Sequence, residues 1–336
     1  MRTQAIAVCA IATALAAHAQ TVQTIQTVQS PLLGMVLDKN ASRLRPVYGV
    51  PGAATLGATV DTGENIAAAA IFAAGRYAVV LSGADSHASL LMLDGPVETA
   101  LSSVPAGVSA AALSPNGSAA GLFYENERVI RTVAGLPSNS TAVHSFSLAA
   151  LPDGNAVWAV SDDGQFALYS AGTSEVFILG GETGLRRLAT NGIPSALGFM
   201  AGSRDAIVAT PEGTSEIRNV AVRPELRSIS LAKAPAGPAF LGLSADGAQG
   251  FLMSRASGQT TLAYFSSDGT PDQGAQAADA AAFDCQCTDF SPQRTAAPSV
   301  YILSNYTGKP VAALDAGATP ARVFFVPPAL DSAPLP

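Results

Sequence analysis

"ALSPNGSAAGLF", residues 112–123, reads as an apolar start, a Ser-Pro-Asn-Gly turn and a second apolar run. A tight reversal needs positive φ, which glycine adopts at little cost, and an Asn-Gly or Asp-Gly pair between apolar runs is a strong hairpin signal. The stretch therefore predicts two short antiparallel strands joined at Asn116-Gly117. Similar stretches return as "ALPDGNAVWAV" at 150–160 and "GLSADGAQGFLM" at 242–253. Looser copies begin at Phe72 ("FAAGRYAVV"), Phe199 ("FMAGSRDAIVA") and Phe290 ("FSPQRTAAPSVYIL"), the last without the glycine.

With the apolar residue before each turn as a marker, Phe72, Leu113, Leu151, Phe199, Leu243 and Phe290 are separated by 41, 38, 48, 44 and 47 residues. A period of about 44 fits a four-stranded propeller blade. Gly, Pro, Asn, Asp and Ser cut each unit roughly every eight to twelve residues, which is the spacing of strands and hairpins. Strand-turn-strand signatures lie between the markers, as in "SLLMLDGPVETALSS" (89–103), "EVFILGGETGLRRLA" (175–189) and "TTLAYFSSDGTPDQ" (260–273). "NIAAAAIFAAGRY" (65–77) has helix propensity through its alanines, but Gly75 and the "YAVVL" that follows fit a strand of small residues. An outer-membrane barrel would also alternate, yet no aromatic girdle is evident and "FFVPPALDSAPLP" makes a poor last barrel strand.

At the N-terminal end, "PLLGMVLDKNASRLRPVYG" (31–49) has the strand-turn-strand form with no marker hairpin before it. At the other end, "ARVFFVPP" (321–328) is a strand without a successor. Propellers commonly close by building one blade from both chain ends, which removes open sheet edges. The expectation is an all-β, seven-bladed β-propeller over 31–328, with 31–49 and 321–328 sharing the closing blade. The hairpin form "LSPNG" or "LSADG", followed by small and apolar residues, is similar to the repeats of seven-bladed bacterial propellers of the WD40-like and YVTN kind. That resemblance covers a turn pattern and a period. It implies the fold and no function, because Trp158 is the sole tryptophan and no Gly-His or Trp-Asp pair marks a blade end.

Residues 1–19 read as an export signal: Arg2 is the positive start, 5–17 an apolar stretch, and Ala17-His18-Ala19 a small-x-small cleavage site. The apolar stretch is too short to span a bilayer, and no other run approaches that length. A mature chain beginning at Gln20, a linker at 20–30, a disordered tail at 329–336 and a secreted or periplasmic location follow. The formal charge is −7, and −8 once Arg2 is removed, with no basic cluster. Such a balance repels nucleic-acid phosphates. The expected partner of this monomer is a protein or a neutral small molecule.

Cys285 and Cys287 are the only cysteines beyond the signal, and a pair in an exported chain favours a disulfide. Two residues apart on a strand places their Cα atoms roughly 6.5–7 Å apart, so the bond requires local distortion.

The chemistry-bearing residues are sparse. His87 and His144 lack a second histidine at ligand spacing, so neither metal nor other cofactor is expected. "SDDGQ" at 161–165 shares the acidic start of a calcium loop but stops after Asp163, which reads as a solvated hairpin tip. No serine stands in a Gly-x-Ser-x-Gly elbow, and "GGETG" at 180–184 lacks a phosphate-loop continuation. Glu64, Asp85, His87 and Asp205 are candidates for a polar group in a central funnel. The reading is a non-enzymatic binding or scaffolding module, against the alternative of a lactonase-like propeller hydrolase or isomerase with a site in that funnel.

Overall fold

Turn-forming glycines at intervals of one strand length leave this chain room for strands and hairpins only, and no helix occurs among the described residues. The computed structural model describes residues 31–38, 41–50, 53–72, 76–95 and 97–229, and beyond them the strands at 239–243, 249–256, 259–266, 278–279, 290–294, 300–305, 311–315 and 322–326. The first sheet holds β1 (Leu32–Asp38), β2 (Arg43–Val50) and β3 (Ala53–Leu56), and the second β4 (Ile66–Phe72), β5 (Tyr77–Ser82), β6 (His87–Met92) and β7 (Glu98–Ala100). The third comprises β8 (Ala110–Leu113), β9 (Ala119–Tyr124), β10 (Val129–Ala134) and β11 (Thr141–Ser147). The fourth comprises β12 (Ala156–Val160), β13 (Phe166–Ala171), β14 (Glu175–Gly180) and β15 (Gly184–Ala189). The fifth is β16 (Ala196–Phe199), β17 (Ala206–Thr210), β18 (Gly213–Arg218) and β19 (Glu225–Ile229), and the sixth β20 (Ala239–Leu243), β21 (Gln249–Ala256), β22 (Gln259–Ser266) and β23 (Ala278–Asp279). The seventh is β24 (Phe290–Arg294), β25 (Val300–Asn305), β26 (Val311–Asp315) and β27 (Arg322–Val326).

Every sheet is an antiparallel meander in sequence order. First strands touch first strands, β4 to β8, β8 to β12, β12 to β16, β16 to β20 and β20 to β24. The small residues of "IAAAAIF" in β4 and "AAAL" in β8 permit that close approach. In the second, fourth and fifth sheets the second strand is buried on both faces: all six residues of β5 and β13 and all five of β17 are buried. The fourth strand of the fourth sheet, "GLRRLA" of β15, alternates toward solvent. The core thus lies between sheets, where Leu81 and Val79 of the second meet Leu122 and Ala120 of the third. Each such leucine contributes about 1.5–3 kcal/mol by leaving water.

The quoted hairpin is built as its sequence predicts. Ser114 Oγ accepts the Ala119 amide at 3.0 Å, while Asn116 Oδ1 accepts the Ser118 amide at 2.8 Å, with Gly117 at φ +76°. "SDDGQ" repeats the arrangement: Ser161 Oγ accepts the Phe166 amide at 3.0 Å, Asp163 Oδ1 accepts the Gln165 amide at 3.0 Å, and Gly164 has φ +66°. A buried hydroxyl of the preceding sheet holds each hairpin. Tyr77 donates to the Gly117 carbonyl, and Thr132 Oγ1 to the Gly164 carbonyl at 2.7 Å. Asp162 ties three sheets together, its Oδ1 accepting the Asn116 amide at 2.9 Å and its Oδ2 the Gly202 amide at 2.8 Å. "SDDGQ" is therefore a structural joint and not a solvated tip. Asp163 stays acidic there: burial opposes its ionisation, but the Ser161 hydroxyl, the Gln165 amide and Arg204 outweigh burial and lower its pKa.

Several expectations need correction. The residues equivalent to Leu113 in the fourth sheet are at Val160, because the hairpin there is 161–165; Leu151 and the Asp153-Gly154 pair lie in the segment entering that sheet. Phe290 opens β24 instead of closing it. The closing blade is not shared: β27 pairs with β26, Val311 facing Val326, and 32–56 forms its own three-stranded sheet. The C-terminal region supplies four strands of its own, so β27 already has a partner. The two ends meet by packing, with β1 against β24 and β25, β3 against β27, and β24 also reaching β4. The alanine-rich stretch that begins at 65 holds the expected strand at Ile66–Phe72. The proposed signal and linker at 1–30, the Cys285 and Cys287 pair, and the tail at 329–336 lie outside the described residues.

The inter-sheet lock is open to test. Thr132→Val strands the Gly164 carbonyl and the His144 amide, which Thr132 Oγ1 accepts at 3.2 Å. A loss of about 1–3 kcal/mol is expected in urea denaturation, against well under 1 kcal/mol for the exposed Ser102→Val.

Candidate functional site

In an antiparallel meander the start of the first strand, the end of the second, the start of the third and the end of the fourth share one rim. We call it the entry rim, since the chain enters each sheet there. The hairpins held by Tyr77, Thr132 and Asp162 lie on the opposite rim.

On the entry rim of the second sheet, Ser82 and His87 are cross-strand partners at the β5–β6 turn. His87 Nδ1 lies 3.0 Å from Asp85 Oδ1, and its Nε2 lies 3.2 Å from Ser82 Oγ and 3.8 Å from Glu64 Oε2. Ser82 Oγ in turn donates to Glu98 Oε1 at 3.0 Å. Arg43 steadies the approach of Glu64 by donating to its carbonyl and, at 3.1 Å, to Asn65 Oδ1. Beneath the group sits Gly83 at φ +74°; a Cβ there would stand 2.9 Å from Glu64 Oε2, 3.1 Å from Asp85 Oδ1 and 3.1 Å from His87 Cε1. Three of the four sequence candidates thus converge on one point. The fourth, Asp205, belongs to the opposite rim, where Oδ1 accepts the Asn219 amide at 2.8 Å.

Proton placement decides what this group does. Ser82 donates to Glu98, so when His87 is protonated its Nε2–H is offered to the serine oxygen and its Nδ1–H to Asp85. The hydrogen bond to Asp85 raises the His87 pKa, aided by Glu64 and Glu98 and opposed by burial; the same bond lowers the pKa of Asp85. Ser82 itself is 1% exposed. The contacts follow a nucleophile–base–orienter order, but the oxygen is sealed and its hydrogen points at a carboxylate, away from the base.

A second feature of the entry rim is a cleft of about 380 Å³ between the third and fourth sheets. Half-buried Phe123 and Trp158 line it, their ring centroids 6.2 Å apart, and Tyr169 closes the back with its hydroxyl donating to the Pro152 carbonyl at 3.0 Å. Gly121 makes room for the indole, since a Cβ there would meet Trp158 Cζ3 at 2.6 Å. Glu125, Asp153 and Asn155 stand at the mouth. Residues 105–108 couple the two features, because the amides of Gly107 and Val108 bond the carbonyls of Asp85 and Ser86, and Tyr124 donates to the Pro105 carbonyl at 2.7 Å.

Sequence reading missed Ser82, Glu98 and the cleft. "LSGADSH" carries the only available hint, a serine and a histidine flanking a glycine turn. His144 lies apart in β11, its Nε2 2.7 Å from Gln165 Oε1. Among the described residues no three His, Cys, Asp or Glu side chains are arranged to hold a metal ion, and no helix is long and apolar enough to cross a membrane.

Successive four-stranded meanders packed first strand to first strand define a β-propeller, here with a polar group and an aromatic cleft on one rim. Solved structures agree on the fold. A protein of unknown function from Desulfotomaculum acetoxidans superposes with a TM-score of 0.58 at 11% identity, covering 88% of this chain and 99% of that one. A candidate 6-phosphogluconolactonase from Bacteroides fragilis gives 0.57 at 13%, covering 88% and 94%. PorZ, a surface component of the type-IX secretion system of Porphyromonas gingivalis, gives 0.52 at 13% over 90% of this chain and 38% of its own. No protein-family model and no curated protein sequence matches this chain.

The raised His87 pKa fixes a pH dependence. Its stabilising contacts are fully present below the ordinary histidine value of 6.5 and fade as pH rises through the higher folded value. His87→Gln is therefore expected to lower the urea midpoint at about pH 5.5 and to leave it nearly unchanged at about pH 9. NMR titration of His87 should show a midpoint above 6.5 that Asp85→Asn moves back down.

Proposed function

We propose that this chain is an exported, monomeric, seven-bladed propeller, the three-stranded sheet serving as the seventh blade, that binds a protein or small-molecule partner through its entry rim and turns nothing over. The observation that carries the reading is the contrast on that rim between a sealed Ser82, hydrogen-bonded to Glu98, and an open cleft beside it. The opposite rim is engaged in inter-sheet locks, so changes at the entry rim disturb the core least. Negative net charge disfavours nucleic acid. Export through residues 1–19 belongs to the same proposal, with Gln20 as the first residue of the mature protein.

The runner-up is a lactonase-like hydrolase, favoured by the 3.2 Å and 3.0 Å contacts of His87 with Ser82 and Asp85. Two experiments separate the readings. A fluorophosphonate probe and a screen of lactones, esters and glycosides should give no Ser82 adduct and no turnover; turnover lost in Ser82→Ala or His87→Gln overturns the binding reading. Affinity capture from the native envelope fraction should yield a partner that Asn155→Arg on the entry rim loses and Glu182→Arg on the opposite rim keeps. Loss of that partner with Glu182→Arg and not with Asn155→Arg would move binding to the other rim.

A further inference from the structure

We infer that the cleft between the third and fourth sheets takes an ammonium group carried on an apolar body. The inference rests on reading the entry rim as the binding face and adds the chemistry of what enters it. The walls are aromatic faces, Phe123 and Trp158, both half-buried and tilted by 39°. At the mouth the carboxylates of Glu125 and Asp153 stand with Asn155. Arg128 Nη2 donates to the carbonyls of Leu151 at 2.8 Å and Pro152 at 3.1 Å, and so braces the entry segment. Glu125 and Asp153 are exposed, and among the described residues neither is in an ion pair. Asp153 Oδ1 accepts the neighbouring Gly154 amide at 3.0 Å. Ser109 Oγ accepts the Glu125 amide at 3.1 Å, which fixes the backbone from which that carboxylate projects.

An anion would face the two carboxylates of Glu125 and Asp153 against the one guanidinium of Arg128. A compact cation satisfies both parts of the site, its charge over the rings and its N–H or polarised C–H groups toward the carboxylates. A volume of about 380 Å³ suits a ligand of that size. The same chemistry could come from a free quaternary amine or from a lysine on a protein partner.

Trp158 is the only tryptophan in the chain, so its fluorescence reports on the cleft directly. The mature protein is titrated with choline, with N-acetyl-lysine methylamide, with 3,3-dimethylbutan-1-ol as the neutral isostere of choline, and with cellobiose and gluconate. A saturable change is expected with at least one ammonium, weakened on the order of tenfold in the Glu125→Gln/Asp153→Asn double variant. Choline alone would mark a free small amine as the ligand, whereas binding of the lysine amide would mark a side chain. Asn155→Arg, which sets a guanidinium at the mouth, should weaken the same titration while leaving the thermal melt unchanged. A flat response to both ammonium probes, an equal response to the neutral isostere, or saturation only with cellobiose or gluconate overturns the inference. A flat titration with partner capture intact removes only this inference; loss of rim-dependent capture removes the rim reading beneath it.

Discussion

The second sheet of this protein is held to the third, and the third to the fourth, by a hydroxyl that reaches across the gap to the hairpin glycine of its neighbour. Tyr77 does this for Gly117, and Thr132 for Gly164. The sheets otherwise meet through side chains that slide against one another with little cost, so apolar burial alone would leave their angles loosely set. A directional bond to a backbone carbonyl fixes the angle, and burial makes losing it costly. Glycine is required at the acceptor because the turn needs positive φ and because, at Gly117, a Cβ would collide with the Phe72 ring at 2.5 Å. One turn type thereby serves both the chain reversal and the assembly of the sheets.

This joint determines where function can lie. The locks, together with the Asp162 bridge between Asn116 and Gly202, occupy one rim. The entry rim carries instead the longer connections between sheets, whose side chains answer to fewer packing demands. There the sequence places Glu125 and Asp153, which among the described residues are in no ion pair, beside the sole tryptophan, and on the adjacent sheet a histidine among three acids. The concentration of both features on adjacent sheets, joined through residues 105–108, follows from the geometry of the meander and not from nearness in sequence.

Much of the architecture was legible because turn chemistry is local. Asn116-Gly117 declares a hairpin from four residues, and the period of its copies gives the size of a sheet. The same locality caused the errors. Asp153-Gly154 is as good a turn signal as Asp163-Gly164, yet one enters a sheet and the other reverses within it; an Asx-Gly pair specifies a bend without saying which bend. Strand count at the chain ends was misread for a related reason, since a lone strand signature at 321–328 gives no sign that three more precede it in its own sheet. The site was less legible still. Glu64, Asp85 and His87 were visible as sparse polar residues, but Glu98 joins them only through the pairing of β5, β6 and β7, and Glu125 meets Trp158 only when two sheets stack.

The Ser82, His87 and Asp85 contacts show why residue identity and distance fall short of a mechanism. In a working nucleophile the serine hydrogen points to the base and the oxygen faces the substrate. Here the hydroxyl donates to Glu98 and is buried, and the carboxylates around His87 raise the pKa of the ring beside it. Deprotonating His87 would free Nε2 to accept the serine hydrogen, but it would also leave Glu98 without its donor and bring Glu64, Asp85 and Glu98 together around a neutral ring. Three carboxylates therefore stabilise the proton whose removal a nucleophile would require. The charge pattern that makes the group look catalytic in outline is the one that raises the His87 pKa and favours its cationic form.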